Sequence, residues 1–240
     1  MKQYIYGKNT VMEALKGSNV YTVYMQNNNK DKKVIDFCRK RKIPLEFVDK
    51  TYFDKHIGKV VHQGIMASVE SYRYYTIDEI LDAIPEGKMP LLLMLDGLED
   101  PHNLGAILRT CDAVGVDGVI IGKNRSVSLN GTVAKVSTGA IDHVKVAQVT
   151  NLTRTLEDLK TKSFWVVGCD LHNSQDYRQI DYNMPTVIVI GSEGAGISRL
   201  VKKSCDMNVI LPMVGHVTSL NASVATAVIL YQVYNSRNPL

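Results

Sequence analysis

From Leu91 onward the chain is written as short apolar runs of strand length: "LLLML", "GVIIG", "VKVA", "FWVVGC", "TVIVI" and "MNVIL". Runs without polar alternation belong to strands buried on both faces, the pattern of a parallel sheet covered on each side by helices. Helical patterns such as "NLTRTLEDLKT" lie between several of them, so alternating β and α elements are expected here. Ligands of such sheets bind beyond the carboxyl ends of the strands, which makes the strand-to-helix junctions the places to search for chemistry.

The front of the chain has a different texture. "NTVMEALKG" offers a capping asparagine, Asn9, and a terminal glycine, Gly17, while "NVYTVYMQ", "IPLEFVD" and "GIMASVESY" have the β-branched and aromatic content of strands. A compact α/β module over residues 1–73 follows. "TIDE" at Thr76–Glu79 is a capping-box pattern opening a helix to about Ile84, and the turn-forming "PEGKMP" follows it, so 74–89 is expected as the connection to a second domain at 90–240.

Charge separates the two parts as well. Residues 1–75 hold 14 Lys and Arg against 7 Asp and Glu, a balance of +7, and the remainder is −3, giving +4 for the 240 residues. "NKDKKVIDFCRKRK" concentrates the excess, and Lys32, Lys33, Lys40 and Arg41 project away from the apolar side formed by Val34, Ile35, Phe37 and Cys38. Such a cluster is a contact for a polyanion such as a nucleic acid, or a solvated helix face. With 45% hydrophobic and 22% charged residues the chain can bury a sizeable core, and no apolar run resembles a signal peptide or membrane span. A cytoplasmic protein without a membrane partner is expected. The widely spaced Cys38, Cys111, Cys169 and Cys205 form no CxxC pair, so they are expected as reduced thiols and no metal is expected.

Three junctions combine polar residues with strand ends. In "LLMLDGLEDPHNLGAILRT", Leu104, Ile107, Leu108 and Cys111 have helical spacing, which makes Asn103 an expected N-cap, His102 a loop residue, and leaves Arg109 off the apolar stripe. In "TVIVIGSEGAGISRL", Gly191, Gly194 and Gly196 surround Glu193. A P-loop is disfavoured because Ile197 and Ser198 stand where lysine and a hydroxyl residue are needed, and a dinucleotide fingerprint lacks its third glycine. What remains is a tight loop where backbone approaches a ligand beside a carboxylate, or a loop that is structural alone. In "VILPMVGHVTSLNASVATAVILYQ" a strand ends near Leu211, and Ser219 and Asn221 precede a long helix whose small residues permit close packing of another element.

"DGLEDPHNLGAILRT", "IGSEGAGIS" and "LPMVGHVTSLNASVATAV" resemble the three motifs of the SpoU branch of the SPOUT RNA 2′-O-ribose methyltransferases, in order and at the expected scale. "YIYGKNTVMEAL" and "HQGIMASV" resemble the substrate-binding domain of the 23S rRNA guanosine 2′-O-methyltransferases of that branch. The resemblance implies an α/β SPOUT domain with a mostly parallel sheet and a C-terminal trefoil knot, behind a small α/β RNA-binding domain. It implies S-adenosylmethionine as cofactor, 23S ribosomal RNA as substrate and a homodimer through the C-terminal domain. Carried over by motif, the catalytic residues are Asn103, Arg109, Glu193, Ser219 and Asn221. The cofactor is expected against Thr138, Gly139, Leu171, Gly191, Leu211, Met213 and Leu220. A tRNA 2′-O-methyltransferase and a non-catalytic RNA-binding homologue are the competing readings.

Overall fold

The computed structural model describes residues 2–16, 20–171 and 174–239. It divides into two units, Met1–Tyr72 with Leu129–Lys135, and Arg73–Ser128 with Val136–Leu240.

The first unit is built on a four-stranded sheet of β1 (Lys2–Tyr6), β2 (Val20–Gln26), β3 (Leu45–Val48) and β4 (Ile65–Glu70), in the order β1-β4-β2-β3. β4 runs antiparallel to β1 and β2, and β3 is parallel to β2. On one face Val23, Met25, Ile65 and Ala67 pack with Val11 and Leu15 of α1 (Lys8–Lys16) and Val34 and Cys38 of α2 (Lys32–Arg41). On the other, Tyr24 and Met66 pack with Phe53 of α3 (Lys50–Ile57). Neither β1 nor α3 was expected from the sequence. Asn9 lies inside α1 rather than capping it: the Val11 N–H donates to the Gly7 carbonyl at 3.0 Å, so the helix already starts after Gly7. The expected terminal glycine, Gly17, lies outside the described residues.

α2 shows how a charged segment is held helical. Its N-cap Asp31 accepts hydrogen bonds from the Lys33 and Val34 N–H groups, and its last turn places Arg39, Lys40 and Arg41 at the negative end of the helix dipole. Lys8 stands 2.5 Å from the Asp31 carboxylate, and this contact, with the backbone bonds, holds the Asp31 carboxyl below its ordinary pKa.

The second unit contains a seven-stranded sheet in the order β7-β6-β5-β10-β8-β11-β9, with every pairing parallel. The strands are β5 (Leu91–Asp96), β6 (Gly118–Gly122), β7 (Val146–Val149), β8 (Trp165–Cys169), β9 (Gln175–Asp176), β10 (Thr186–Gly191) and β11 (Met207–Ile210). One face carries Leu92, Met94, Val187 and Val189 against Ile80 of α4 (Ile77–Asp82), Leu156 and Leu159 of α7 (Leu152–Lys160) and Val201 of α8 (Arg199–Lys203). Alternation along the strands turns Leu93, Leu95, Ile188 and Ile190 to the opposite face. There α5 (Pro101–Val114) packs against α9 (Ala222–Arg237). Of the short α6 (Gly131–Ser137) only the last two residues belong to this unit, and a 3-10 turn at Ala140–Asp142 follows.

The segment 74–89 is knitted into this second unit rather than hanging between domains. Thr76 and Glu79 form the capping box of α4, and Ile80 enters the core. The Tyr75 N–H donates to the Val146 carbonyl, and Lys88 pairs with Asp117 at 2.5 Å.

Candidate functional site

β10 enters the sheet between β5 and β8, although it is later in the chain than either. This insertion brings the loops after β5 and β10 side by side, with the loop after β11 nearby. The first loop starts α5 with Asp100 as N-cap, accepting from the His102 N–H, and with Pro101 in the first turn. The expected capping role of Asn103 is thus corrected: proline's fixed φ suits the opening position, so the helix begins three residues earlier and includes His102. Asn103 becomes the third helical residue and is only 6% exposed.

The second loop is closed by reciprocal backbone bonds between Ser192 and Gly196, at 3.1 and 3.0 Å. A Cβ on Gly191 would lie 2.0 Å from the Gly196 carbonyl carbon, so only glycine permits the loop to fold back on the strand. Asp96, at the end of β5, ties the two loops by accepting from the Ser198 N–H at 2.7 Å. The third loop leads to Asn221, the N-cap of α9, whose Oδ1 accepts from the Ser223 N–H and hydroxyl.

The side chains of these three junctions meet. Asn103 Nδ2 donates to Glu193 Oε1 at 2.9 Å, and Asn221 Nδ2 donates to the same oxygen at 2.7 Å and to Asn103 Oδ1 at 2.9 Å. The Ala222 N–H adds a third, longer bond to Glu193 Oε1 at 3.3 Å. Residues 90 and 28 positions from Glu193 are therefore fixed in one hydrogen-bonded cluster. Glu193 Oε2 has no hydrogen-bond partner among the described residues, which leaves an acceptor available at the surface.

Glu193 and Asn221 line a cavity of about 670 Å³ at the carboxyl ends of β8, β10 and β11. Of the seven residues expected at a cofactor, Leu171, Gly191, Leu211, Met213 and Leu220 line this cavity, with Ser219 beside them. Thr138 and Gly139 do not; they form the left-handed turn before the 3-10 turn, with φ of 49° and 95°. The walls combine apolar side chains with glycine backbone, a donor set suited to an adenosyl group and an aliphatic chain held mainly by main-chain atoms. Asp170 also lines the cavity, with Lys202 Nζ 2.6 Å from its carboxylate. Burial raises the Cys169 thiol at its edge to about 11, so that sulfur is a wall atom and not a nucleophile at neutral pH.

Arg109 is exposed and forms no ion pair or side-chain hydrogen bond among the described residues. Six residues along a helix correspond to about 9 Å of rise and a turn of about 120° off the starting face. Arg109 thus points away from the face of α5 that carries Asn103. Ser219 makes no hydrogen bond to the cluster. Lys32, Lys33, Lys40 and Arg41 are exposed on α2, and the Arg41 guanidinium lies over the Phe37 ring, 5.6 Å from its centroid.

Sequence reasoning missed Asp96, Ala222 and Ser223. Asp96 carried a usable signal, a carboxylate ending a wholly apolar strand; the backbone amide of Ala222 carried none. Among the described residues no group of three or more His, Cys, Asp or Glu is arranged to hold a metal ion. No described helix is long and apolar enough to cross a membrane.

Comparison with known proteins places these features in context. Residues 90–231 match the model of the SpoU rRNA methylase family, and residues 4–75 match that of the RNA 2′-O ribose methyltransferase substrate-binding domain. YacO of Bacillus subtilis (strain 168), named for the TrmH family of tRNA/rRNA methyltransferases, is 48% identical over 99% of this chain and 97% of its own. An AdoMet-bound rRNA methyltransferase from Sinorhizobium meliloti shares the fold, with a TM-score of 0.64 and 24% identity over 100% of this chain and 88% of that one. The A. aeolicus TrmH/SpoU tRNA-modifying enzyme has a TM-score of 0.59 and 31% identity over 67% of this chain and 81% of its own.

Proposed function

The chain belongs to the SpoU rRNA methylase family, and from that premise we propose that it transfers a methyl group from S-adenosylmethionine to a ribose 2′-hydroxyl of RNA, a guanosine of 23S ribosomal RNA. The observation that carries the reading is the convergence of Asn103, Glu193 and Asn221 from three separated motifs at the mouth of the 670 Å³ cavity.

The cofactor, when bound, supplies an electrophilic sulfonium methyl, so the protein's task is alignment and charge stabilisation. Leu171, Leu211, Met213 and Leu220 would hold it by apolar contact, with the Gly191–Gly196 backbone alongside. Asn221 and Asn103 fix Glu193 through Oε1, so Oε2 is oriented to accept a hydrogen bond from the ribose hydroxyl. Because Arg109 points away from the Asn103 face of its own chain, we assign it to the ribose held at the other copy of the homodimer, where it pairs with the neighbouring phosphate and stabilises negative charge developing on the 2′-oxygen; its guanidinium stays protonated and is a poor base. The cationic face of α2 docks RNA in the first unit.

Ribosomal RNA is preferred to tRNA because the substrate-binding domain match covers residues 4–75. The neighbour named as an rRNA methyltransferase also aligns over the whole chain, against 67% for the tRNA-modifying one. The homodimer and trefoil knot belong to the same reading. Exposed Val224, Val228 and Tyr231 form an i, i+4, i+7 stripe on α9 suited to an isologous partner. The test is methyl transfer from labelled S-adenosylmethionine to 23S rRNA and to tRNA, followed by mapping of 2′-O-methyl positions. Transfer to 23S rRNA alone supports the proposal, transfer to tRNA alone replaces the substrate, and transfer to neither by protein that binds the cofactor rejects the activity.

A further inference from the structure

Across the carboxyl edge of the second unit's sheet the order is β6, β5, β10, β8. The cavity lies on the β10 and β8 side of the Asn103–Glu193–Asn221 cluster. A strand that presents its ribose to the cluster must therefore approach from elsewhere, and the β6 side is adjacent. Neighbouring strands are about 5 Å apart, which puts the loop after β6 within a few ångströms of the loop after β5.

That loop is cationic and tethered. Lys123, Asn124 and Arg125 are exposed, and Lys123 and Arg125 form no ion pair or side-chain hydrogen bond among the described residues. Several cations elsewhere in the unit have partners, Lys88 with Asp117, Lys160 with Asp206, Lys202 with Asp170 and Arg178 with Asp176, whereas Lys123 and Arg125 stand two residues apart on one loop with none among the described residues. The Val127 N–H donates to the Leu98 carbonyl at 2.7 Å, which pins the loop to the segment leading into α5 and Asn103. Arg125 has φ of 52°, a left-handed conformation that costs a side-chain-bearing residue about 1 kcal/mol or more. The Ser126 hydroxyl is buried without a partner. The flanking backbone bonds, Lys123 N–H to the Val149 carbonyl and Val127 N–H to the Leu98 carbonyl, hold Arg125 in this conformation, and strain of this kind gathers at ligand clamps.

We propose that Lys123 and Arg125, on the loop after β6, form a phosphate clamp that holds the RNA strand on the side of the cluster opposite the cavity. The inference rests on the RNA methyltransferase reading above but concerns a contact outside the family motifs. Glu99 and Asp100, exposed on the neighbouring loop, limit the clamp to phosphates that reach the β6 side.

The experiment is the salt dependence of binding of a mixed-sequence single-stranded ribo-oligonucleotide to the full-length protein, a measure of phosphate contacts that does not depend on which nucleotide is methylated. Lys123→Ala combined with Arg125→Gly removes both charges, with glycine chosen because its φ suits the loop. The slope of log K against log salt should fall in magnitude by about 1.4, at about 0.7 per lost phosphate contact. Lys123→Ala alone should lower it by about half as much. Lys123→Arg with Arg125→Lys should restore the parent slope. An unchanged slope in the single variant, or in a double variant that melts at the parent temperature, overturns the clamp. Failure of the functional reading is distinct: the parent binds oligonucleotide with its full slope but transfers no methyl to any RNA.

Discussion

α2 and α5 open in the same way and diverge at their third residue. Each is capped by an aspartate, Asp31 or Asp100, whose carboxylate accepts backbone N–H bonds of the first turn. The third helical residue is buried in both: Val34 is 0% exposed and Asn103 6%. Val34 meets Val11, Met25 and their neighbours in an apolar core. Asn103 occupies the equivalent place with an amide, and its partners come from two other loops. The ninth residue is an exposed cation in each, Lys40 or Arg109. A polar side chain at a core position is stable only if distant residues satisfy it, so α5 is committed to a particular tertiary arrangement in a way that α2 is not.

The sharpest separation concerns the ninth residues. Arg109→Ala should lower single-turnover methyl transfer at saturating RNA by about 100- to 1000-fold, the usual cost of removing a donor to developing oxyanion charge, while cofactor binding survives. Arg109→Lys should stay severely impaired, since lysine keeps the charge but loses the planar fork. Near-parent rates in Arg109→Ala would make this arginine as ordinary as any exposed helical cation.

The third residues differ next. Glu193→Ala leaves the Asn103 and Asn221 amides without their shared acceptor, and a buried unsatisfied group of this kind costs about 1–3 kcal/mol. Denaturant unfolding should show a loss in that range, with turnover reduced as well. A stability equal to the parent's would mean that water replaces the carboxylate and that Asn103 is less committed than its burial implies.

The contrast also explains what could be read from the chain before any coordinates. "LLLML", "GVIIG", "TVIVI" and "MNVIL" became β5, β6, β10 and β11 because a continuous apolar run at strand length has few other uses. The basic face of α2 was legible because helical spacing alone sets it. The partners of Asn103 were not readable from spacing, because they depend on β10 entering between β5 and β8; resemblance to known motifs, not physics, grouped them in advance. Local competition produced the errors. Asn9 and Asn103 both have the side chain of a cap, yet Gly7 and the Asp100-Pro101 pair start their helices earlier. Thr138 and Gly139 are a separate case: resemblance, not one of the three motifs, grouped them with the cofactor residues, and their turn does not line the cavity that the other five expected residues share.

For the exposed cations of α2 the effect should be on docking and not on rate. Replacing Lys32, Lys33, Lys40 and Arg41 by alanine should weaken RNA binding and lower its salt slope by about 3, with cofactor affinity unchanged. A parent-like slope would return these residues to helix solubility and interaction with the helix dipole.

The smallest expected effect lies at the caps and isolates what the two helices share. Asp31→Ala removes the acceptor for the Lys33 and Val34 N–H groups, at a cost of about 1 kcal/mol in unfolding free energy, typical for a helix cap. The half-exposed Lys8 contributes little beyond that. The sign of the pH dependence follows from the depressed Asp31 carboxyl. A carboxyl held lower in the folded than in the unfolded state stabilises the fold at pH above its unfolded value, and that contribution fades as pH falls through the folded value. The difference between parent and Asp31→Ala, measured by denaturant unfolding, should therefore be fully present at pH 7 and shrink below about pH 4, near the ordinary aspartate pKa. A gap that stays constant into acid would assign Asp31 a role in packing rather than in charge, and α2 would then resemble α5 in depending on an uncharged polar contact at its first turn.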